Sequence, residues 1–358
     1  MKRKLTLYLI IFGFFLKEFS RNLLLPNLIV ISHHFFGEDK FEAVEMGLLV
    51  TVIMASSAIA CLLFGIIADR TTRKVSAVIA LVFWSSGLLI SAFTPNYLLL
   101  LLGCSLLGFG SGGYIPVAQA VIGDAAPRER IGHYYGLSSI SNFLGMMSGL
   151  LIASIFSPFW QIPYFIGGIF LICFLLVYGI RGANYQVGLN DMHQLQSQND
   201  LEKEISYDYH ITWDKFKKMI TNKTNFLIFI EGIFSIFGMA IIFFSLYPYL
   251  IEGPAHITPL VASLMLILFI SPTQLLGIYI WGRIGDHYSP KHPKIRIKLI
   301  VMSFLITTPY FMMLFWVQGS PAESTNTLLK ALTNRGILFF LILFMIGSFF
   351  LGMYDSNQ

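Results

Sequence analysis

Gly65-Ile66-Ile67-Ala68-Asp69-Arg70-Thr71-Thr72-Arg73-Lys74 lies between two apolar runs, and a degenerate copy follows 217 residues later as Gly282-Arg283-Ile284-Gly285-Asp286-His287-Tyr288-Ser289-Pro290-Lys291. Gly, Asp and Lys coincide in the two copies, and each copy closes the second apolar run of a group. A three-position match is short, but its recurrence at corresponding places implies two related halves.

Around these copies the composition excludes a water-soluble protein. The chain of 358 residues is 56% hydrophobic and 15% aromatic, with 12% charged residues and a mean hydropathy of +0.71. A soluble domain carries about 25% charged residues, so this chain lacks the charge to cover a wet surface. Ten segments are long and apolar enough to cross a bilayer: 6–31, 47–68, 75–93, 97–123, 136–156, 159–180, 224–250, 258–282, 297–318 and 336–354. Lipid satisfies no backbone N–H or C=O, and no period-2 barrel pattern is present, so each is expected to be a helix and the class all-α. The polar stretch 182–223 divides six spans (1–181) from four (224–358). It reads as a linker, with Lys215 to Lys218 beside Trp213 and Phe216 suggesting an amphipathic helix on anionic lipid.

With the N-terminus placed in the cytoplasm, alternation puts 19 of the 24 Lys and Arg on the cytoplasmic side. Lys40, Lys330 and Arg335 fall outside, and Lys17 and Arg21 fall within the first span. The external loop is acidic, with Glu38, Asp39, Glu42 and Glu45. The excess of positive charge therefore reflects topology, and no nucleic-acid partner is expected. Cys61, Cys104 and Cys173 lie inside apolar runs without ligand spacing, so neither a disulfide framework nor a metal site is expected. Gly108-x-Gly110-x-x-Gly113 formally matches a dinucleotide fingerprint, yet it sits inside an apolar span with no preceding strand and reads as packing. No nucleophile–base arrangement stands out, so the chain is not expected to be an enzyme or to need a cofactor.

The Gly65 to Lys74 stretch resembles the loop motif between helices two and three of the major facilitator superfamily of secondary transporters. A second carrier is Gly108-Phe-Gly110-Ser-Gly112-Gly113-Tyr114-Ile-Pro116, followed by Asp124-Ala-Ala-Pro127-Arg128-Glu-Arg130, similar to the family's fourth helix and its inner end. The resemblance implies two six-helix bundles that rock around a central site in the plasma (inner) membrane. It also implies a small-molecule or lipid substrate, a candidate coupling proton and a monomer. Asp69, Arg70, Arg73, Lys74, Asp124 and Arg130, with Gly65, Gly282 and Asp286, would then gate the cytoplasmic side, Asp69 facing the N-terminal end of helix eleven. Plain positive-inside flanking charge is the competing reading for Lys74, Arg128 and Arg130.

The departures narrow the branch. Cys104 stands where many members carry arginine, and Gly145-Met146 replaces the Gly-Pro pair of proton-driven drug antiporters. The charged first span and the Asp124 to Arg130 segment resemble the spinster-type branch, whose members are linked to lysolipids and sphingolipids. Aligning Phe109, Gly112 and Tyr114 with Phe349, Gly352 and Tyr354 places the C-terminus level with Ala118, so two of the family's twelve helices are expected to be missing through truncation. A non-transporting fragment is accordingly an alternative to a transporter.

Charges inside the spans are the candidate site. Lys17, Glu18 and Arg21 lie within five positions of the first span, where each charge costs a few kcal/mol and calls for a partner or a wet cavity. Glu18 and Arg21, three residues apart, are spaced so that they can pair, with Lys17 on an adjoining face. The alternatives are a neutralised structural pair, snorkelling of Lys17 and Arg21 to the outer interface, or a substrate or proton site. Glu231 is the one carboxylate of the seventh span and reads as a proton carrier, as the partner of a cation from the other bundle, or as a group reaching water at the inner side. Gly108, Gly110, Gly112 and Gly113, with Gly145 and Gly149, present small faces for close helix approach.

Overall fold

A computed structural model describes residues 2–37, 41–127, 130–184, 217–218, 220–253, 256–289, 292, 294–314 and 325–357. The expected linker and its amphipathic stretch lie mostly outside these residues, as do Glu38, Asp39, Lys40, Arg128 and Lys291. The described residues are almost wholly helical, with one isolated bridge between Ile257 and Thr325. In order, the helices are α1 (Lys2–Arg21), α2 (Leu28–Phe36), α3 (Ala43–Arg70), α4 (Arg73–Ala92), α5 (Tyr97–Ala125), α6 (Ile131–Ile155) and α7 (Gln161–Arg181). They continue as α8 (Lys223–Glu252), α9 (Pro259–Met265), α10 (Ser271–Tyr288), α11 (Ile295–Leu314), α12 (Leu328–Thr333) and α13 (Arg335–Asn357). A π-helical turn, Leu266–Ile270, joins α9 to α10 into one membrane-length rod.

Among the described residues eight helical stretches are long and apolar enough to cross a membrane. The other two expected segments correspond to α1 with α2, and to α8. The first expected span, 6–31, is not one helix. α1 stops at Arg21, a 3-10 turn covers Leu25–Asn27, and α2 begins at Leu28. Pro26 explains the break, since it lacks an N–H and disfavours the helical conformation of the residue before it. Gly37 then ends α2 at φ 100°, a left-handed value that glycine adopts without a steric penalty.

Side-chain caps mark several starts. Thr72 Oγ1 accepts from Val75 N at 3.4 Å before α4, and Asn96 Oδ1 accepts from Leu99 N at 2.9 Å before α5. Large apolar side chains such as Leu62, Ile180 and Leu305 stay exposed, as expected where lipid is the solvent.

The chain divides into two compact units, Met1–Phe237 and Gly238–Gln358, the division falling within α8. In the first, α5 packs against both α3 and α4, α1 against α6, and α4 against α7. In the second, α13 packs against both α10 and α11, so the tenth expected span meets the eighth and ninth as the fourth meets the second and third. The repeat at Gly65 and Gly282 is therefore matched by a repeat of helix packing.

Close backbone approach holds these pairs. A Cβ on Gly112 would collide with Ser57 of α3, one on Gly110 with Trp84 of α4, and one on Gly145 or Gly149 with the carbonyls of Phe15 or Phe19 of α1. Gly108 meets Ile53, and Gly113 meets the Phe64 ring. In the second unit Gly277 meets the Phe349 carbonyl and Gly352 meets the Gly277–Ile278 backbone. Side chains moor α1 as well: Tyr114 donates to Ile10 O at 3.0 Å, and Trp84 Nε1 donates to Ser20 Oγ at 2.9 Å.

Candidate functional site

The C-terminal end of α1, within the first expected span, carries a polar centre in an apolar bundle. Lys17 Nζ lies 2.9 Å from Glu18 Oε1, with Lys17 buried and Glu18 partly open. The Lys17 ammonium also sits 5.5 Å from the centre of the Phe14 ring. Asn22 Nδ2 donates to Glu18 O at 2.8 Å and to Glu18 Oε2 at 3.3 Å. Glu18 thus pairs with Lys17 rather than with Arg21, the other cation within reach by helical spacing. Adjacent helical residues point about 100° apart, but the four-carbon lysine stem spans that gap while Phe14 supports its charged end. Arg21 acts on Glu18 from farther away, without an ion pair at contact distance. The centre sums to +1, from Lys17 and Arg21 against Glu18. Glu231 is half-buried on α8 and is not among the charged neighbours of Glu18.

The second cluster joins the C-terminal ends of α3 and α5 through the start of α4. Arg73 Nη1 lies 3.0 Å from Asp69 Oδ1, and its Nε donates to Asp124 Oδ2 at 3.2 Å. The guanidinium is almost fully buried, so one planar cation ties two helix ends with separate hydrogen bonds. Arg70 and Arg130 are exposed and Lys74 is half-buried.

The second unit repeats this arrangement in a form the sequence offset does not reveal. Asp286, the counterpart of Asp69, pairs with Arg296. Arg296 lies in the first turn of α11, as Arg73 opens α4, but the longer intervening loop moves it off the 217-residue register. Gly282 packs beside Ser356, and Gly285 against Asn357.

One further polar contact is absent from the sequence reading. Gln274 Nε2 of α10 donates to Asp355 Oδ2 of α13 at 2.9 Å. Asp355 stands one residue past the expected end of its span, and the helix continues beyond it to Asn357. The three residues that follow the apolar run hid this membrane carboxylate, and a helix register for 336–357 would have exposed it.

Among the described residues no group of His, Cys, Asp and Glu is arranged to hold a metal ion.

Comparison with known proteins places this architecture. A family model described as Major Facilitator Superfamily matches residues 10–357. The sphingosine-1-phosphate transporter SPNS2 of Xenopus tropicalis is 31% identical over 128 residues, 34% of this chain and 24% of that protein. The multidrug resistance protein MdtG of a Rahnella species is 28% identical over 195 residues, 53% of this chain and 47% of that one. This chain therefore spans less than half the length of these relatives in the regions it matches. Among solved structures, a bacterial homologue of the human lysosomal transporter Spinster, inward-facing and unoccupied, superposes with a TM-score of 0.75 at 16% identity, over 99% of this chain and 75% of that one. Helix order, the paired glycine-aspartate motifs and a match along nearly the whole length converge: this chain is an integral membrane protein of the major facilitator superfamily.

Proposed function

We propose that this protein is a secondary transporter that moves a small organic or amphipathic solute across the plasma membrane by alternating access, with its N-terminus in the cytoplasm. The observation that carries the reading is the Lys17, Glu18, Arg21 and Asn22 centre at the C-terminal end of the first helix, within the first apolar span of a major facilitator chain. Charges at such a depth are retained where they line a wet path or hold a ligand. The excess of one positive charge suits a solute with an anionic group, which Arg21 would receive while Lys17 and Glu18 neutralise each other.

The Arg73 bridge between Asp69 and Asp124 fits a latch on the cytoplasmic side, made in one state and loosened in another. In this reading Gly65, Arg70, Lys74, Arg130 and Gly282 shape or flank the two loop motifs, and Glu231 lines the path as a further polar group. The protein works as a monomer, with membrane lipid as its surroundings.

A second reading makes the solute a lysolipid or sphingolipid. It is favoured by the likeness to SPNS2 over about a third of the chain and by the Spinster-type fold. Uptake by proteoliposomes tests both: sphingosine-1-phosphate serves as the lipid probe and niacin, named for another relative, as the small anion. Uptake of either probe that falls at least about tenfold in Arg21→Gln, a loss of about 1.4 kcal/mol of binding, supports the reading. Uptake unchanged by that substitution removes Arg21 from the site. Transport of the lipid probe alone selects the second reading.

A further inference from the structure

Glu18 and Asp355 are compensated differently. Glu18 has an ammonium at 2.9 Å. Asp355 has only the neutral amide of Gln274, at the same distance, and no basic side chain among the described residues lies within ion-pair distance of it. A carboxylate inside a membrane helix needs a counter-charge, a proton or water.

The depth of Asp355 follows from the helix register. α10 and α13 run parallel, with Gly352 against Ile278 and Ser356 Cβ 3.4 Å from a Cβ placed on Gly282. Asp355 is therefore level with Trp281, about 7 Å short of the Asp286–Arg296 pair at 1.5 Å per residue. Gln274 reaches it from the opposite direction, from a backbone level about 10 Å farther from that pair.

The contact is built into the frame. The π-helical turn Leu266–Ile270 ends just before Ser271-Pro272, where Ser271 Oγ donates to Leu266 O at 2.9 Å. Such a turn rotates the residues that follow it and recurs at functional positions. Gln274 comes next, and Gly277 then locks α10 onto the Phe349 carbonyl. Among the described residues Asp355 is exposed on the side away from this contact.

We propose that Asp355, seated by Gln274, is the residue that takes up and releases a proton as this protein cycles; the inference rests on the transport reading above. Uptake forms one O–H bond on a carboxylate oxygen with a proton from water, and release breaks it, with no oxidation. Gln274 suits both states, donating its N–H to the carboxylate or accepting the acid O–H at its carbonyl.

The other charged groups are committed elsewhere or distant. Arg283 lies 4.7 Å over the Tyr279 ring, and Asp286 holds Arg296, with His287 beside it in sequence and Lys298 in the next turn of α11. Tyr310 lies near the opposite end of α11, and Lys330 and Arg335 lie at the far end of α13. α8 meets α13 through the Tyr249–Phe340 stack, about 22 Å along the helix from Asp355.

The test is infrared difference spectroscopy of the full chain in liposomes, titrated across about pH 4 to 10 without any solute. The expected result is a carboxylic-acid C=O band that titrates reversibly, is lost in Asp355→Asn, persists in Glu18→Gln and returns at a shifted frequency in Asp355→Glu. Gln274→Leu, which leaves both charges of the chain's sites unchanged, should keep the band but shift its frequency and midpoint. Absence of a titrating band, its survival in Asp355→Asn, or its loss in Glu18→Gln would overturn the proposal. Because the band is read at equilibrium, a missing band with intact probe uptake defeats this assignment alone, whereas a normal band without uptake defeats the transport reading.

Discussion

At the scale of single residues, burial decides which charges matter. Arg73 is buried between two carboxylates, while Arg70, three residues earlier, is exposed. Arg73→Ala leaves Asp69 and Asp124 without their cation and should lower stability by about 3–5 kcal/mol, read as a fall in the thermal unfolding midpoint in detergent. Arg70→Ala should stay within about 0.5 kcal/mol of the parent in the same measurement. Lys17 and Glu18 make a comparable pair. Lys17→Met alone strands Glu18 and should destabilise more than the Lys17→Met, Glu18→Gln double change, with a coupling of about 0.5–3 kcal/mol from the completed double-mutant cycle. Additive effects would mean that the 2.9 Å contact contributes little.

At the scale of helices, glycine placement sets the spacing. Gly145 and Gly149 let α6 approach the α1 backbone at Phe15 and Phe19, whereas nothing lies within 4 Å of a Cβ placed on Gly136 of the same helix. Gly145→Leu should therefore overpack the α1–α6 contact and cost about 1–3 kcal/mol or more, seen as reduced yield of folded protein and a lower unfolding midpoint. Gly136→Ala should be neutral or stabilising by up to about 1 kcal/mol, because it removes backbone freedom without a clash. Periodicity and span length already pointed to helices here, and the small residues pointed to close packing. Which backbone each glycine would meet was not legible, because Gly110 and Gly112, two residues apart, face different helices. The break in the first segment at Pro26 was legible in principle, but the apolar run continues through it and conceals the end of α1.

At the scale of the whole chain, the proposed orientation makes a direct prediction. With Cys61, Cys104 and Cys173 replaced, Asn96→Cys should react with a membrane-impermeant maleimide in intact cells, and Thr71→Cys only after the membrane is opened. The reverse pattern would place the N-terminus outside. The equivalence of the two halves is also testable, since Asp286→Asn should weaken the α10–α11 connection as Asp69→Asn weakens that of α3 and α4. The exposed Asp286–Arg296 pair should contribute only about 0–1 kcal/mol, well below the buried Arg73 bridge.

Composition, span length and the spacing of Gly65, Asp69 and Lys74 determined by themselves that the chain is helical, membrane-embedded and internally repeated. Those features depend on the solvent and on local periodicity, which a linear sequence records. The partners of Glu18, Asp286 and Asp355 were decided only in three dimensions. Glu18 turned to its neighbour Lys17 because a flexible stem and the Phe14 ring outweighed helical spacing. Asp286 found Arg296 across a loop of different length, and Asp355 met Gln274, 81 residues away, because a π-helical turn and a glycine crossing set the register of two parallel helices.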